Sequence, residues 1–394
     1  MSRKRTIWLL LACYFAYSSI YIARVNLSVA SPEMIAAGKL TAAQFGFLGS
    51  AFSIVYAIGR FFSGQLSDRY PPALMIGGGL ALAAAANIGI GFLPPYAFIV
   101  VFCAVNAFAQ SMLWGSVLRI VAASVDDERR KKVMSYMVTA VSTGTVLGYL
   151  LGAYFVSAFG FVFAFFLPAV ICLVCCAWVL ITGRSIRAEA LPPHQNISLT
   201  KLFSVSDVRT ALVPAFLHGI VKDNVSLWLP AFFVQFYSID LKRSVWFVLV
   251  VPLVGLIGRL AYPLFYRLCK EREQRVNAVG FAVCILAALR LLPGSVRPAE
   301  AAACFGLIYA SVSLVNTSFL SIYPLRFLES GNVASVSGIM DLLTYTGAGV
   351  GSMLLGVLIE KFGYFPMFVL FALSAAASLL LILPELKKKK TEFN

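Results

Sequence analysis

Charge is what this sequence lacks. Only 12% of its 394 residues are Asp, Glu, Lys or Arg, against roughly 25% in soluble domains, and that scarcity excludes an ordinary water-soluble globule. Histidine is scarcer still, with His194 and His218 the only two. Cys172, Cys175 and Cys176 form a CxxCC in an apolar run, with no nearby His and no second pair. Such cysteines suit helix packing better than a metal site. Nucleophile–base pairs and phosphate-cradling loops are also missing, so the expectation is a protein that is not an enzyme and uses no metal or cofactor. The short period-2 alternation of barrel strands is absent too, which excludes a closed β-barrel.

What the sequence has is apolar length. Hydrophobic residues make up 60% of it, in runs near the 20 or so that a helix needs to cross a bilayer. Backbone polar groups in lipid must be satisfied internally, which leaves helices once barrels are excluded. Twelve segments can be drawn, at about 7–30, 43–63, 73–93, 96–121, 133–156, 160–182, 207–237, 243–265, 275–293, 299–324, 333–358 and 362–384. The longest polar stretch lies midway. It divides the chain into an expected six-helix bundle over 1–182, a cytoplasmic linker over 183–206, and a second bundle over 207–394 with a basic tail. The expected fold is therefore an all-α membrane protein of two pseudo-symmetric halves.

A formal net charge of +15 could suggest nucleic acid, but the basic residues sit in short clusters between apolar runs, as topology demands. The partner they imply is a lipid bilayer. With the N-terminus inside, inner loops and helix ends take 24 of the 32 Lys and Arg, and the outer side takes six. That bias predicts a multi-pass protein with both termini cytoplasmic. The opening MSRKR and apolar run resemble a signal peptide but lack a small-residue cleavage site, so the run reads as a retained first span.

The two halves repeat one another. Arg24-x-Asn26 recurs as Lys222-x-Asn224, and Gly59-Arg60 as Gly258-Arg259. Thr143-Gly144-x-x-x-Gly148 and Phe159-Gly160 recur as Thr346-Gly347-x-x-x-Gly351 and Phe362-Gly363. Offsets close to 200, kept in one order, point to the internal repeats of secondary transporters, whose substrates sit between the repeats.

Arg24 and Lys222 are the two cations left inside the apolar runs. An intramembrane cation costs at least about 2.5 kcal/mol on insertion scales, so it calls for a use. Tyr17, Tyr21 and Arg24 share one helical face, as do His218, Lys222 and Ser226. Snorkelling to headgroups is the plainer alternative for Arg24, and pairing with Asp223 for Lys222. Adjacent residues diverge by about 100° on a helix, so a direct Lys222–Asp223 bridge is not expected. One cation from each half suits a small anion such as phosphate or a phosphomonoester, Arg supplying a planar fork of donors and Lys a point charge.

At three places the residues resemble the organophosphate:phosphate antiporters of the major facilitator superfamily. These are Tyr21-Ile-Ala-Arg24-Val-Asn26-Leu-Ser-Val-Ala30, the run from Gly49 through Tyr56 to Arg60, and Ala109-Gln110-Ser-Met-Leu-Trp114-Gly-Ser-Val-Leu-Arg119. Lys222 followed by Trp228-Leu-Pro230 is similar to the family's seventh helix. The resemblance implies exchange of a sugar phosphate or glycerol phosphate for inorganic phosphate by rocking of two bundles. It further implies that Arg24 and Lys222 bind phosphate while Tyr17, Tyr21, Tyr56 and Trp114 line the cavity, with His218 and Asp341 among the substrate-side polar groups. The sequence departs from the family pattern at three points. Lys222 stands where Arg is usual, Val25 replaces a frequent basic residue, and Val141-Ser142-Thr143 occupies a place where studied branches carry His.

The stretch from Gly59 to Pro71 resembles a diverged form of the superfamily's cytoplasmic loop motif, which makes Arg60, Asp68 and Arg69 candidates for closing an inner gate. Asp341 is a candidate to neutralise Lys222 or to carry a proton. The expected setting is a bacterial inner (plasma) membrane, the expected partner a small anion, and the expected state a monomer. Two other readings stand beside exchange: a proton-coupled symporter of an organic carboxylate, and a membrane sensor of sugar phosphate.

Overall fold

The structure is a computed structural model, and it describes residues 3–183, 206–327 and 333–387. All regular elements among them are helical. They are α1 (Arg3–Ala36), α2 (Ala42–Arg69), α3 (Pro72–Gly91), α4 (Tyr96–Ser111), α5 (Leu113–Ser124), α6 (Asp127–Phe159) and α7 (Phe163–Gly183), followed by α8 (Ser206–Tyr237), α9 (Leu241–Val248), α10 (Val250–Leu268), α11 (Glu273–Leu291), α12 (Pro298–Thr317), α13 (Val333–Phe362) and α14 (Phe365–Lys387). Twelve spans result, because α4 with α5 and α9 with α10 each form one interrupted span. Eleven are long and apolar enough to cross a bilayer by length and composition. The twelfth, α8, carries His218, Lys222, Asp223 and Asn224 inside its apolar run, which lowers its hydropathy. The expected linker lies almost wholly outside the described residues.

The chain divides into two compact units. One comprises residues 1–41, 51–193 and 233–249, the other 42–50, 194–232 and 250–394. In the first unit, α1 packs on α6 and α7, and α3 on α4 and α7. Small residues set these distances. A Cβ at Gly144 would fall on the Ser18 carbonyl oxygen, and one at Gly148 would lie 3.1 Å from Ile22 Cα. Cys172 and Cys176 are buried in the same core, the Cys176 thiol 3.2 Å from the Gly77 carbonyl oxygen.

The second unit repeats the device. A Cβ at Gly347 would fall on the Phe216 carbonyl oxygen, and one at Gly351 would lie 3.1 Å from Ile220 Cα, so α13 meets α8 as α6 meets α1. The matched Gly160 and Gly363 end α6 and α13 with φ of 92° and 69°, where a Cβ is strained. Within this unit the start of α2 lies against α13 and α8: Ser352 Oγ donates to the Gly46 carbonyl at 2.9 Å, and Phe45 meets Trp228 edge-on at 4.8 Å. Glu273, buried at the head of α11, pairs with Arg326.

The span Pro298–Phe327 does not finish as an α-helix. It passes into a π-turn over Ser318–Ile322 and a 3₁₀ turn over Tyr323–Phe327, the kind of irregularity that marks functional stretches of helices. At the α4–α5 interruption a serine bonds both to its own helix and to α2. Ser111 Oγ reaches back to the Phe108 carbonyl at 2.6 Å and across to Ser63 Oγ of α2 at 2.8 Å. Gly59 makes room for it, since a Cβ there would lie 2.5 Å from that hydroxyl. Serine bonding to its own helix in this way bends the helix.

Candidate functional site

Two polar centres stand inside the spans, one in each unit. In the first, Arg24 lies in the middle of α1 with its guanidinium carbon 4.3 Å from the ring centre of Tyr56 and 5.1 Å from those of Tyr21 and Phe52. Tyr17 joins the group, its ring 5.4 Å from Tyr21 and 4.8 Å from Trp114. Of the four aromatic residues singled out in the sequence, Tyr21 and Tyr56 thus meet Arg24 in the geometry of cation–π attraction, while Tyr17 and Trp114 pack behind Tyr21. Arg24 Nε donates to Gln110 Oε1, a neutral amide acceptor, at 3.2 Å.

The i, i+4, i+7 spacing placed Tyr17, Tyr21 and Arg24 together. Tyr56 and Trp114 come from α2 and α5, and both residues had been singled out by resemblance. Phe52 and Gln110 were not singled out at all. Gln110 is one polar residue in an apolar run, and only its contact with Arg24 distinguishes it. Arg60, one turn beyond Tyr56, is half-buried and within electrostatic reach of Tyr17. Asp68 and Arg69 stand in the last turn of α2, and their side chains lie outside the described residues.

The second centre is built differently. Lys222 Nζ lies 2.8 Å from Asp223 Oδ1 and 4.7 Å from the ring centre of Tyr345, with the lysine side chain 14% exposed. This corrects the expectation that neighbours on a helix do not bridge. The 100° divergence applies to Cβ directions, and a four-carbon lysine arm is long enough to curl back to the next residue. Asp341 of α13 and Tyr309 of α12 lie within electrostatic reach of Lys222 as well. The first cation is therefore held by an amide and aromatic rings, the second by a carboxylate.

His218, one turn before Lys222, is 1% exposed, and its ring meets Phe319 of the π-turn edge-on at 6.0 Å. It backs the lysine from inside the helix packing. Asn224, the repeat of Asn26, donates to the Ile220 and Ala348 carbonyls at 2.9 and 3.0 Å and so ties α8 to α13.

Comparison with known proteins gives this arrangement a context. Residues 13–340 match the family described as the Major Facilitator Superfamily. The phosphoglycerate transporter protein of Salmonella typhimurium is 25% identical, over 92% of this chain and 84% of its own length. The hexuronate transporter of Bacillus subtilis is 24% identical, over 88% of this chain and 86% of its own. Among solved structures, that of the nucleoside transporter NupG superposes with a TM-score of 0.83 at 13% identity, covering 96% of this chain and all of the other. That last likeness shows the fold alone.

Proposed function

The chain belongs to the Major Facilitator Superfamily, and from that premise we propose that this secondary transporter exchanges a small organophosphate for inorganic phosphate by alternating access. The observation that carries the reading is Arg24: a permanently charged side chain in the middle of a span, among aromatic rings, held by an uncharged acceptor. An arginine is always protonated in a protein, and its planar fork of donors matches phosphate oxygens. Phosphate-ester transport by the Salmonella relative supports the same substrate class.

Lys222 supplies the second interaction. Its pairing with Asp223 makes the cation neutral overall before substrate arrives, so an incoming anion must replace the carboxylate. A bound anion that engages Lys222 and frees Asp223 favours a conformation the unloaded carrier disfavours, which is how a ligand shifts a two-state equilibrium. Obligatory exchange then needs no separate ion site.

Radiolabelled phosphate uptake into proteoliposomes tests this reading. Uptake is expected to require internal phosphate and to be lost in Arg24→Ala. Equal uptake into phosphate-loaded and empty vesicles would sink the exchange mechanism.

A second reading has its own support. Two acids, Asp223 and Asp341, lie near Lys222, and a hexuronate is an organic carboxylate. Proton-coupled carboxylate symport predicts uptake into empty vesicles driven by an inward pH gradient and abolished in Asp223→Asn.

A further inference from the structure

Behind Arg24 lies a group of buried amides to which no role has been given. Asn26, Asn87, Asn106 and Gln110 come from three helices, and each is at most 4% exposed. Gln110 Nε2 donates to Asn106 Oδ1 at 3.1 Å, and Asn87 Nδ2 reaches the same oxygen at 3.4 Å. Asn26 Nδ2 donates to Asn87 Oδ1. The circuit starts at Arg24 and returns to its own helix two residues later.

The same amides hold the backbone of that turn. The Ala23 carbonyl accepts from Asn106 Nδ2 at 3.2 Å and from Gln110 Nε2 at 3.5 Å. The Leu27 N–H, four residues on, donates to Asn26 Oδ1 at 2.7 Å. Gln110 therefore grips Arg24 at two points, the side chain through Nε and the backbone through the preceding carbonyl. Four buried amides in one span region are costly unless their bonds are made. A cluster this well satisfied fixes geometry more than it adds stability.

We propose that Gln110, braced by Asn106, Asn87 and Asn26, is the positioning residue that aims the Arg24 guanidinium at the transported anion without neutralising it. The proposal rests on the reading of Arg24 as an anion ligand. The neutral choice matters because the other centre already carries its own carboxylate. A glutamate at 110 would pair with Arg24 and compete there with an incoming anion.

The charged and titratable groups around this position are Arg24, Tyr17 and Tyr21 of α1, with Tyr56 and Arg60 of α2. Helices α3 and α4 bring no acid, and the acids of α1 and α2, Glu33 and Asp68, lie more than two turns along their helices from Arg24 and Tyr56. An introduced carboxylate at 110 would meet Arg24 Nε directly, where the Gln110 amide oxygen now accepts.

The test is phosphate exchange by the full chain in phosphate-loaded proteoliposomes, with KM and maximal rate measured from pH 5 to 7.5. Each variant is expressed as a ratio to the parent at the same pH, because phosphate itself titrates. Gln110→Leu is expected to raise KM by roughly tenfold or more with little change in maximal rate, the loss of one hydrogen bond to a charged group. Gln110→Glu is expected to raise KM further than Gln110→Leu throughout this range, because a carboxylate paired with Arg24 stays ionised. Asn106→Leu, one link further back, should move KM in the same direction by less, so the test does not hang on one variant folding. A purely packing role predicts lower thermal stability with unchanged KM, and that result, or a Gln110→Glu KM no higher than the parent's, overturns the proposal. If Arg24→Ala exchanges phosphate as the parent does, the anion reading itself falls and the positioning role with it.

Discussion

At the scale of single residues, the proposed exchange asks different things of the two cations. Arg24 is held by an amide and three rings. Arg24→Lys keeps the charge but loses the planar fork, the ring stacking and the Nε bond, so KM for phosphate is expected to rise by about tenfold or more; an unchanged KM in the exchange assay would show that only charge matters there. Lys222 must release Asp223 first. Asp223→Asn removes that competitor, so the expected outcome is a lower KM with a slower maximal exchange rate, since the anion is then also slower to leave. A raised KM would mean that Asp223 orients Lys222 instead of competing for it. The sequence made both cations legible because charge inside an apolar run is conspicuous. It concealed their partners. Gln110 looks like any polar residue in a span until Arg24 Nε is seen on it, and Asp223 was misjudged because Cβ direction says little about where a lysine ends.

At the scale of helices, glycine decides which pairs approach. Gly144 on α6 and Gly347 on α13 each face a carbonyl oxygen of the helix opposite, on α1 and α8, the helices that carry the cations. Gly144→Ala is expected to push α1 away at Ser18 and Tyr21, costing about 1–3 kcal/mol as overpacking does, read as a lower unfolding temperature in detergent. Because Tyr21 rests against Arg24, KM for phosphate should rise with it. Gly115→Ala is the matched control: nothing lies within 4 Å of a Cβ there, and an alanine in a helix is favoured over glycine by roughly 0.5–1 kcal/mol. Equal behaviour of the two variants would remove glycine packing as the reason for the repeat. The glycine pairs were readable from the sequence because they recur at one offset. The interruptions were not. Both α4–α5 and α9–α10 read as continuous runs in the sequence, and the first is interrupted beside Ser111, which bonds to Ser63, a contact between distant segments that no local pattern announces.

At the scale of the molecule, the span count came directly from apolar length, α8 included, since its apolar run over 207–237 stands out despite the charges inside it. Orientation rests on a different argument, the excess of Lys and Arg on alternate loops, and it can be tested without any assay of transport. The natural cysteines help, since seven of the eight are buried and only Cys269 is partly open. A membrane-impermeant maleimide applied to intact cells should therefore find little to react with in the parent. Lys39 and Lys361 are exposed at helix ends assigned to the outer side, while Arg129 is exposed on the side assigned to the cytoplasm. Lys39→Cys and Lys361→Cys are expected to be labelled in intact cells, and Arg129→Cys only after the membrane is opened. Labelling of Arg129→Cys alone would invert the topology, placing both termini outside and the basic loops against the positive-inside bias. Labelling of Lys39→Cys without Lys361→Cys would break the parity between the halves, and an odd number of spans between them would then separate the two cation-bearing helices in direction.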